Sequence, residues 1–309
     1  MTRVAALDCG TNSLRLLIAE VVGDQLTDLV RRMEVVRLGA GVDRTGRFAD
    51  DALARTFAVL DDYAAVVREL GVDAVRMVAT SATRDAENRA VFAEGVLARL
   101  GVEPEVITGD EEAWLSFSGA TRELAGSAEL AAPYLVVDIG GGSTEFVLGD
   151  ESGPIAAKSV DIGCVRMTER HLVDDPPTAS QIMAARTDIV AAIDQAAAVV
   201  DMARARTLIG LAGSVTTVVA LALELPAYDA ERIHHARVSA ADVHRVSEQM
   251  LAATRAERAA LPVMHPGRVD VIGGGALIFD SIVERCSFAE VVASEHDILD
   301  GIAFSAVDR

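Results

Sequence analysis

The chain has almost no lysine and little cysteine. Of its 28 basic residues, 27 are arginine and one is Lys158. Its three cysteines, Cys9, Cys164 and Cys286, are odd in number and widely spaced. That excludes a disulfide framework and a cysteine metal cluster, and it fits a reducing cytoplasm. Long apolar runs are missing as well. The longest uncharged stretch, Thr207–Leu223, has 17 residues and includes two Gly, one Ser and three Thr, which is too short and too polar for a membrane span. Met1–Asp8 has one cation and a short apolar run ending at an acid, without the apolar core of a secretion signal. Basic charge is in deficit, 28 Lys plus Arg against 47 Asp plus Glu, for a net charge of −19. A nucleic-acid or anionic-membrane binder would carry a basic face, so the expectation is a cytoplasmic protein that binds neither. An anionic substrate is still allowed, because remote carboxylates are screened beyond about 8 Å in physiological salt.

The familiar nucleotide and nucleophile motifs are absent too. A P-loop needs Gly directly before its Lys, yet Ala157 precedes Lys158. No Gly-x-Gly-x-x-Gly completes, since Gly140-Gly141-Gly142 meets Glu145 at the last position. No Gly-x-Ser-x-Gly elbow exists, so Ser143 and Ser214 read as phosphate donors rather than nucleophiles. The six histidines form no metal-binding set. His234 and His235 are adjacent and are expected to face apart on a helix, and His296-Asp297 reads as a surface pair.

What is present is an α/β pattern long enough for two domains: 309 residues, 51% apolar. Val4–Leu7 reads as a strand, Leu14–Val22 with Asp28–Leu38 as a hairpin around Gly23-Asp24, and Asp50–Gly71 as a helix ending on glycine. Val75–Ala79 reads as a strand, Thr83–Leu100 as a helix, Val106–Thr108 as a strand, and a helix starts near Asp110. After Ala132-Pro133 the pattern begins again. Leu135–Val137 runs into Asp138-Ile-Gly-Gly-Gly-Ser-Thr144 as Val4–Leu7 runs into Asp8-Cys-Gly-Thr-Asn-Ser13, 138 − 8 = 130 residues earlier. Each Asp-x-Gly-x-x-Ser is followed by a hairpin closing on an apolar residue and glycine, Leu38-Gly39 and Ile162-Gly163. A third glycine turn lies in Leu208–Thr217, and a fourth, Val269–Ile278, reads as strand, glycines, helix.

Glycine lets backbone amides approach an anion, and Ser or Thr hydroxyls add donors. An Asp at the strand end cannot bind phosphate directly, but it can hold a divalent cation that does. Two such loops describe a cleft for a metal-bound polyphosphate chain. Thr108-Gly-Asp-Glu111 has the form of a capping box, which gives Glu111 a structural role and leaves Glu112 free to deprotonate a water. Arg84 reads as a cation at a helix start, where only an anion in front of it would make it favourable, and Arg15 follows the first loop on the same hairpin.

These segments resemble the exopolyphosphatase/guanosine pentaphosphate phosphohydrolase (Ppx/GppA) family over nearly the whole chain. The resemblance rests on Asp8–Arg15, Ala79-Thr-Ser-Ala-Thr-Arg84-Asp-Ala-Glu-Asn88, Gly109-Asp-Glu-Glu-Ala113 and Asp138–Thr144, in that order. It implies two duplicated actin-like, sugar-kinase-like (ribonuclease H-like) ATPase lobes around a central cleft, residues 1–125 and 126–309, with a last helix at about 297–309 packing back on the first lobe. It implies Glu112 as catalytic base, with Asp8, Asp138 and Glu112 serving Mg²⁺ or Mn²⁺. Thr11, Asn12, Ser13, Arg15, Arg84, Gly140, Gly141, Gly142, Ser143, Thr144, Gly213, Ser214 and Arg268 would line the phosphates, and a homodimer is expected. The implied reaction is hydrolysis of the terminal phosphoanhydride of inorganic polyphosphate. Guanosine pentaphosphate (pppGpp) is the alternative substrate, and an actin-like or sugar-kinase-like ATP-binding protein a more distant reading. Only 4% of residues are aromatic, which gives little to stack on a guanine and tilts the choice to polyphosphate. Two departures from the family pattern stand out. Trp114 occupies a place where the family often has Arg, and Ile298-Leu-Asp-Gly301 replaces a Leu-Arg-Glu-Gly segment, with Leu299 at its Arg. The length resembles the short, two-domain type of member.

Overall fold

The computed structural model describes residues 1–23, 25–124 and 130–307. The chain packs as two compact units, Met1–Glu123 with Asp297–Arg309, and Leu124–His296. The expected domain boundary at 125–126, Asp24 of the first hairpin, and the last two residues lie outside the described residues.

In the first unit, β1 (Thr2–Cys9), β2 (Ser13–Val22) and β3 (Gln25–Val35) form an antiparallel meander, followed by the short helix α1 (Val42–Thr45) and the long helix α2 (Asp50–Leu70). Then come β4 (Ala74–Ala79), α3 (Ser81–Asp85), α4 (Arg89–Leu100), β5 (Glu105–Val106) and α5 (Gly109–Thr121). The five strands are ordered β3-β2-β1-β4-β5, with β4 and β5 parallel to β1. Alternation along β1 sends Ala5 and Leu7 into a core with Leu60, Tyr63, Phe92 and Val96 of α2 and α4. Val4 and Ala6 face a second core with Leu299, Ile302 and Phe304 of the C-terminal helix Ile298–Ser305. Both faces of this central strand are therefore covered, as expected where parallel strands lie between helices. The outer strand β3 carries Arg31, Arg32 and Asp28 and is largely exposed, a common way to protect a sheet edge.

The second unit repeats the plan with β6 (Tyr134–Ile139), β7 (Thr144–Asp150), β8 (Gly153–Val160), α6 (Cys164–His171), α7 (Ala179–Ala197), β9 (Thr207–Leu211) and α8 (Ala212–Ala222). It continues with α9 (Ala230–Ile233), β10 (Arg237–Ser239), α10 (Ala240–Ala252), α11 (Arg255–Ala259), α12 (Ile272–Cys286) and β11 (Glu290–Ala293); α13 is the C-terminal helix of the first unit. Its sheet runs β8-β7-β6-β9-β11-β10. Strand for strand, β1-β2-β3 matches β6-β7-β8, β4 matches β9 and β5 matches β11, with the same senses. Two α/β lobes of one ribonuclease H-like topology follow directly from this pairing.

Three local expectations need correction. The helix expected over 83–100 is two helices, because Ala86 is extended and separates α3 from α4. Val269–Val271 is a turn, not a strand, and α12 begins at Ile272 with its glycines already helical. The strand expected over 106–108 lies at Glu105–Val106.

Candidate active site

In the first unit, β1, β4 and β5 are parallel and in register, Asp8 opposite Val78 and Val78 opposite Glu105. Their C-terminal ends therefore deliver Gly10–Asn12, Thr80–Arg84 and Ile107–Glu112 to one edge of the sheet, the usual ligand side of such sheets. The first loop is closed by the Gly10 amide donating to the Ser13 carbonyl (3.0 Å), while the Asn12 carbonyl accepts from the Arg37 amide and the Thr11 carbonyl from the Gly39 amide, both at 2.8 Å. Gly39 is required by proximity. A Cβ there would lie 2.4 Å from Thr11 Cγ2 and 2.9 Å from Ala82 Cβ.

Asp8 is buried, and strand pairing sets Arg15 opposite it. Arg15 Nε and Nη2 donate to a single carboxylate oxygen, Oδ2, at 3.0 and 2.7 Å, and its Nη1 donates to Asp297 Oδ2. Asp8 Oδ1 is buried and has no hydrogen-bond partner among the described residues, and the same holds for Thr11 Oγ1 and Thr83 Oγ1. Burial raises the Asp8 carboxyl above its usual range; Arg15 opposes this and the Asp297 charge adds to it. Burial would raise Asp297 too, but Arg15, the Leu299 amide and Arg31 together hold it below the usual range. Asp297 is thus no surface pair with His296: it is 6% exposed and caps α13 through the Leu299 amide. Asp300, in the segment that departs from the family pattern, accepts from the Asp297 amide and from Arg31 of β3.

The Thr108 cap forms, its hydroxyl accepting from the Glu111 amide at 3.2 Å. The reciprocal half of the capping box does not form. Glu111 instead accepts from Arg76 Nη2 (2.8 Å), a β4 guanidinium only 4% exposed and also paired with Glu105. A buried cation left without counter-charge is costly, and that demand takes the Glu111 carboxylate. Glu112 is not left free: it is buried, and its Oε2 accepts from Arg84 Nη1 at 2.7 Å. Arg84 also donates to the Ile107 carbonyl (3.0 Å) and sits in the last turn of α3, not at a helix start. A cation there is favourable without any anion. Trp114, at the place of the family arginine, is 57% exposed.

In the second unit, Asp138 pairs with Leu211, so the second loop and the third glycine turn leave the same sheet edge. The Gly140 amide donates to the Ser143 carbonyl at 3.0 Å, the same bond as Gly10 to Ser13. The loop's carbonyls are all engaged. Gly140 accepts from the Cys164 amide, Gly141 from the Val165 and Arg166 amides, and Gly142 from Arg166 Nε (2.7 Å). The amides of Gly141 and Gly142 have no hydrogen-bond partner among the described residues. Gly163 lies against this loop so closely that a Cβ would be 2.3 Å from the Gly141 oxygen. The Thr144 hydroxyl donates to the Ile162 carbonyl (2.5 Å), and Ser143 is buried. Arg268 lies directly against Gly213 and donates to Thr217 Oγ1 at 3.2 Å. Ser214 hydrogen-bonds the Cys164 thiol, which burial raises despite Ser214 and the nearby Arg268.

Within the first unit the expected residues Asp8, Arg15, Thr11, Asn12, Ser13, Arg84 and Glu112 share one sheet edge; within the second, Asp138, Gly140–Thr144, Gly213, Ser214 and Arg268 do. Asp297, Arg166, Gly39 and Gly163 were not singled out as site residues, although the two glycines close the matching hairpins. The histidine reading also changes. His235 adopts φ +60°, so His234 and His235 do not face apart but stack at 3.9 Å between ring centroids, and the His296 ring lies 4.6 Å from that of His234.

Two α/β lobes of one topology, each closing an Asp-x-Gly-x-x-Ser loop with the same hydrogen bond, define a duplicated ribonuclease H-like protein. A model of the Ppx/GppA phosphatase family matches residues 17–309, and the chain belongs to that family. Exopolyphosphatase 2 of Mycobacterium tuberculosis (strain CDC 1551 / Oshkosh) is 52% identical, covering 99% of this chain and 98% of that protein. The crystal structure of an exopolyphosphatase-like protein superposes with a TM-score of 0.95 at 47% identity, covering 98% of this chain and 97% of that one. A guanosine-5'-triphosphate,3'-diphosphate pyrophosphatase of Vibrio atlanticus (strain LGP32) is 29% identical over 99% of this chain and 59% of its own length. No helix among the described residues is long and apolar enough to cross a membrane.

Proposed function

We propose that this chain is an exopolyphosphatase, removing the terminal phosphate of inorganic polyphosphate as orthophosphate. One observation carries the reading: a buried carboxylate, Glu112, is held by Arg84 at the sheet edge where Asp8 Oδ1, Thr11 Oγ1 and Thr83 Oγ1 are buried without a partner among the described residues. The 52% identity to a protein named Exopolyphosphatase 2 supports the same substrate class. Glu112 takes a proton from a water as the water's oxygen attacks the terminal phosphorus; the bond from that phosphorus to the bridging oxygen breaks, the polyphosphate shortened by one unit leaves with that oxygen, and the terminal group is released as orthophosphate. Arg84 positions that carboxylate. Arg15, Arg84 and Arg268 act as phosphate ligands, with Thr11, Asn12, Ser13, Gly140, Gly141, Gly142, Ser143, Thr144, Gly213 and Ser214 supplying amides and hydroxyls. Asp8 and Asp138 serve Mg²⁺ or Mn²⁺, with Glu112 as a further ligand. Asp8 fits that role because its Oδ1 is a buried carboxylate oxygen with no protein donor on it among the described residues. Such an ion offsets the charge on phosphate oxygens.

The Vibrio relative favours pppGpp as a second substrate, while the low aromatic content favours polyphosphate. Three free thiols support a cytoplasmic, reducing location, and a homodimer is the assembly we propose. The test is phosphate release by the purified protein with Mg²⁺ from short polyphosphate, long polyphosphate, pppGpp and ATP, with Glu112→Gln as the blank. Release chiefly from polyphosphate is expected. Release chiefly from pppGpp would move the protein to the second reading, and release from none would overturn both.

A further inference from the structure

We propose that Asp297 is a positioning residue that keeps Asp8 open to a divalent cation by holding Arg15 off its second oxygen; this rests on Asp8 as a metal ligand in the reading above. A guanidinium beside a carboxylate prefers to bind it as two parallel bonds, one to each oxygen. Arg15 does not do so. Both of the donors it gives Asp8 go to Oδ2, its Nη1 goes to Asp297, and Oδ1 stays without a partner among the described residues. Asp297 can hold this arrangement because it is itself fixed. Its Oδ1 accepts from the Leu299 amide (2.9 Å), and its own amide donates to Asp300 Oδ2 (2.9 Å) in a reciprocal cap at the start of α13. Asp300 is in turn held by Arg31. A residue 282 positions from Arg15 in sequence therefore sets the rotation of its guanidinium. Without that pull, Arg15 can turn onto both oxygens of Asp8 and close the one the cation would use.

The test is Mn²⁺ binding to the full chain, read by the loss of the free-ion electron paramagnetic resonance signal, for the native protein and Asp297→Asn. The Asn variant keeps the acceptor for the Leu299 amide while losing the charge that holds Arg15. It should bind Mn²⁺ about 10–100-fold more weakly, the usual cost of losing a group that orients a metal ligand. Asp297→Glu, which keeps the charge, should recover part of that loss. In an Arg15→Gln background the Asn substitution should have no further effect, because Asp297 acts through Arg15. Equal Mn²⁺ affinity in native protein and Asp297→Asn would overturn the proposal and leave the metal reading intact. A loss that persists in the Arg15→Gln background would also overturn it, since it would reflect charge alone. Failure of the native protein to bind Mn²⁺ would overturn the metal reading itself, and this proposal with it. Should Asp297→Asn unfold, Asp297→Gln takes its place against Asp297→Glu: weaker Mn²⁺ binding by the Gln variant is expected, and equal binding by the two would overturn the proposal.

Discussion

The first and second glycine loops share one hydrogen bond and differ in nearly everything around it. In the first unit the groups about the loop are ionised or titratable side chains: Asp8 with Arg15 and Asp297, and Glu112 with Arg84. In the second unit the loop is held mostly by backbone, with carbonyls of Gly140 and Gly141 taken by the first amides of α6 and Gly163 pressed against Gly141. A duplicated fold has thus kept the loop while its surroundings diverged, with buried ion pairs about the first copy and closely packed backbone about the second.

The largest effect should come from breaking the side-chain half. Glu112→Gln keeps the size of the residue but removes the proposed base, and turnover in a phosphate-release assay should fall by ~10²–10⁴. Its neighbour gives the contrast: Glu111→Gln leaves Arg76 with Glu105, so turnover should hold while unfolding in urea reports a loss of up to about 1 kcal/mol. Comparable loss of turnover in the two variants would mean that the two glutamates do not divide the work. Next comes the backbone half. Gly163→Ala drives a Cβ into the Gly141 carbonyl, and Gly39→Ala drives one into the Thr11 and Ala82 methyls. Overpacking costs ~1–3 kcal/mol, and Gly163→Ala should lie at the upper end because backbone yields less than a methyl group. Substrate KM should rise in both variants, more for Gly163→Ala, and the reverse order would break the comparison.

The smallest effect concerns two Thr-x-x-Glu sequences. Thr254–Glu257 closes its capping box, the Glu257 carboxylate accepting from the Thr254 amide and hydroxyl at 2.8 Å, whereas Thr108–Glu111 closes only half. Those bonds, the backbone one first, hold Glu257 below the usual glutamate range. A lowered carboxyl contributes stability above its ordinary pKa and loses it as pH falls through the lowered value. The thermal stability gap between native protein and Glu257→Gln should therefore narrow in acid. A gap independent of pH would show that the cap contributes nothing through its charge.

Much of this was legible in the sequence because it is local. Asp-x-Gly-x-x-Ser followed by a hairpin and an apolar-Gly pair specifies both loops and the strand order around them, and the apolar spacing of Leu53, Leu60, Ala64 and Val67 specifies α2. What was not legible depends on partners distant in sequence. Arg76 takes Glu111 out of its capping box from 35 positions away. Asp297, read as a surface residue, is buried because Arg15 and the cap of α13 meet on it. The break at Ala86 moves Arg84 from a helix start to a helix end, and the left-handed His235 brings together two rings that a continuous helix would keep apart.

The way the second loop is tied to α6 has a consequence for conditions rather than for residues. With the acceptor ends of its peptide units occupied by amides of the same unit and by Arg166, the loop is a positive pole made of peptide dipoles and backed by a guanidinium. It has no proton to lose, and its shape is already set by the fold. In a chain of net charge −19, that makes it the part of the proposed phosphate recognition whose pull stays constant while acid neutralises the carboxylates of the other lobe.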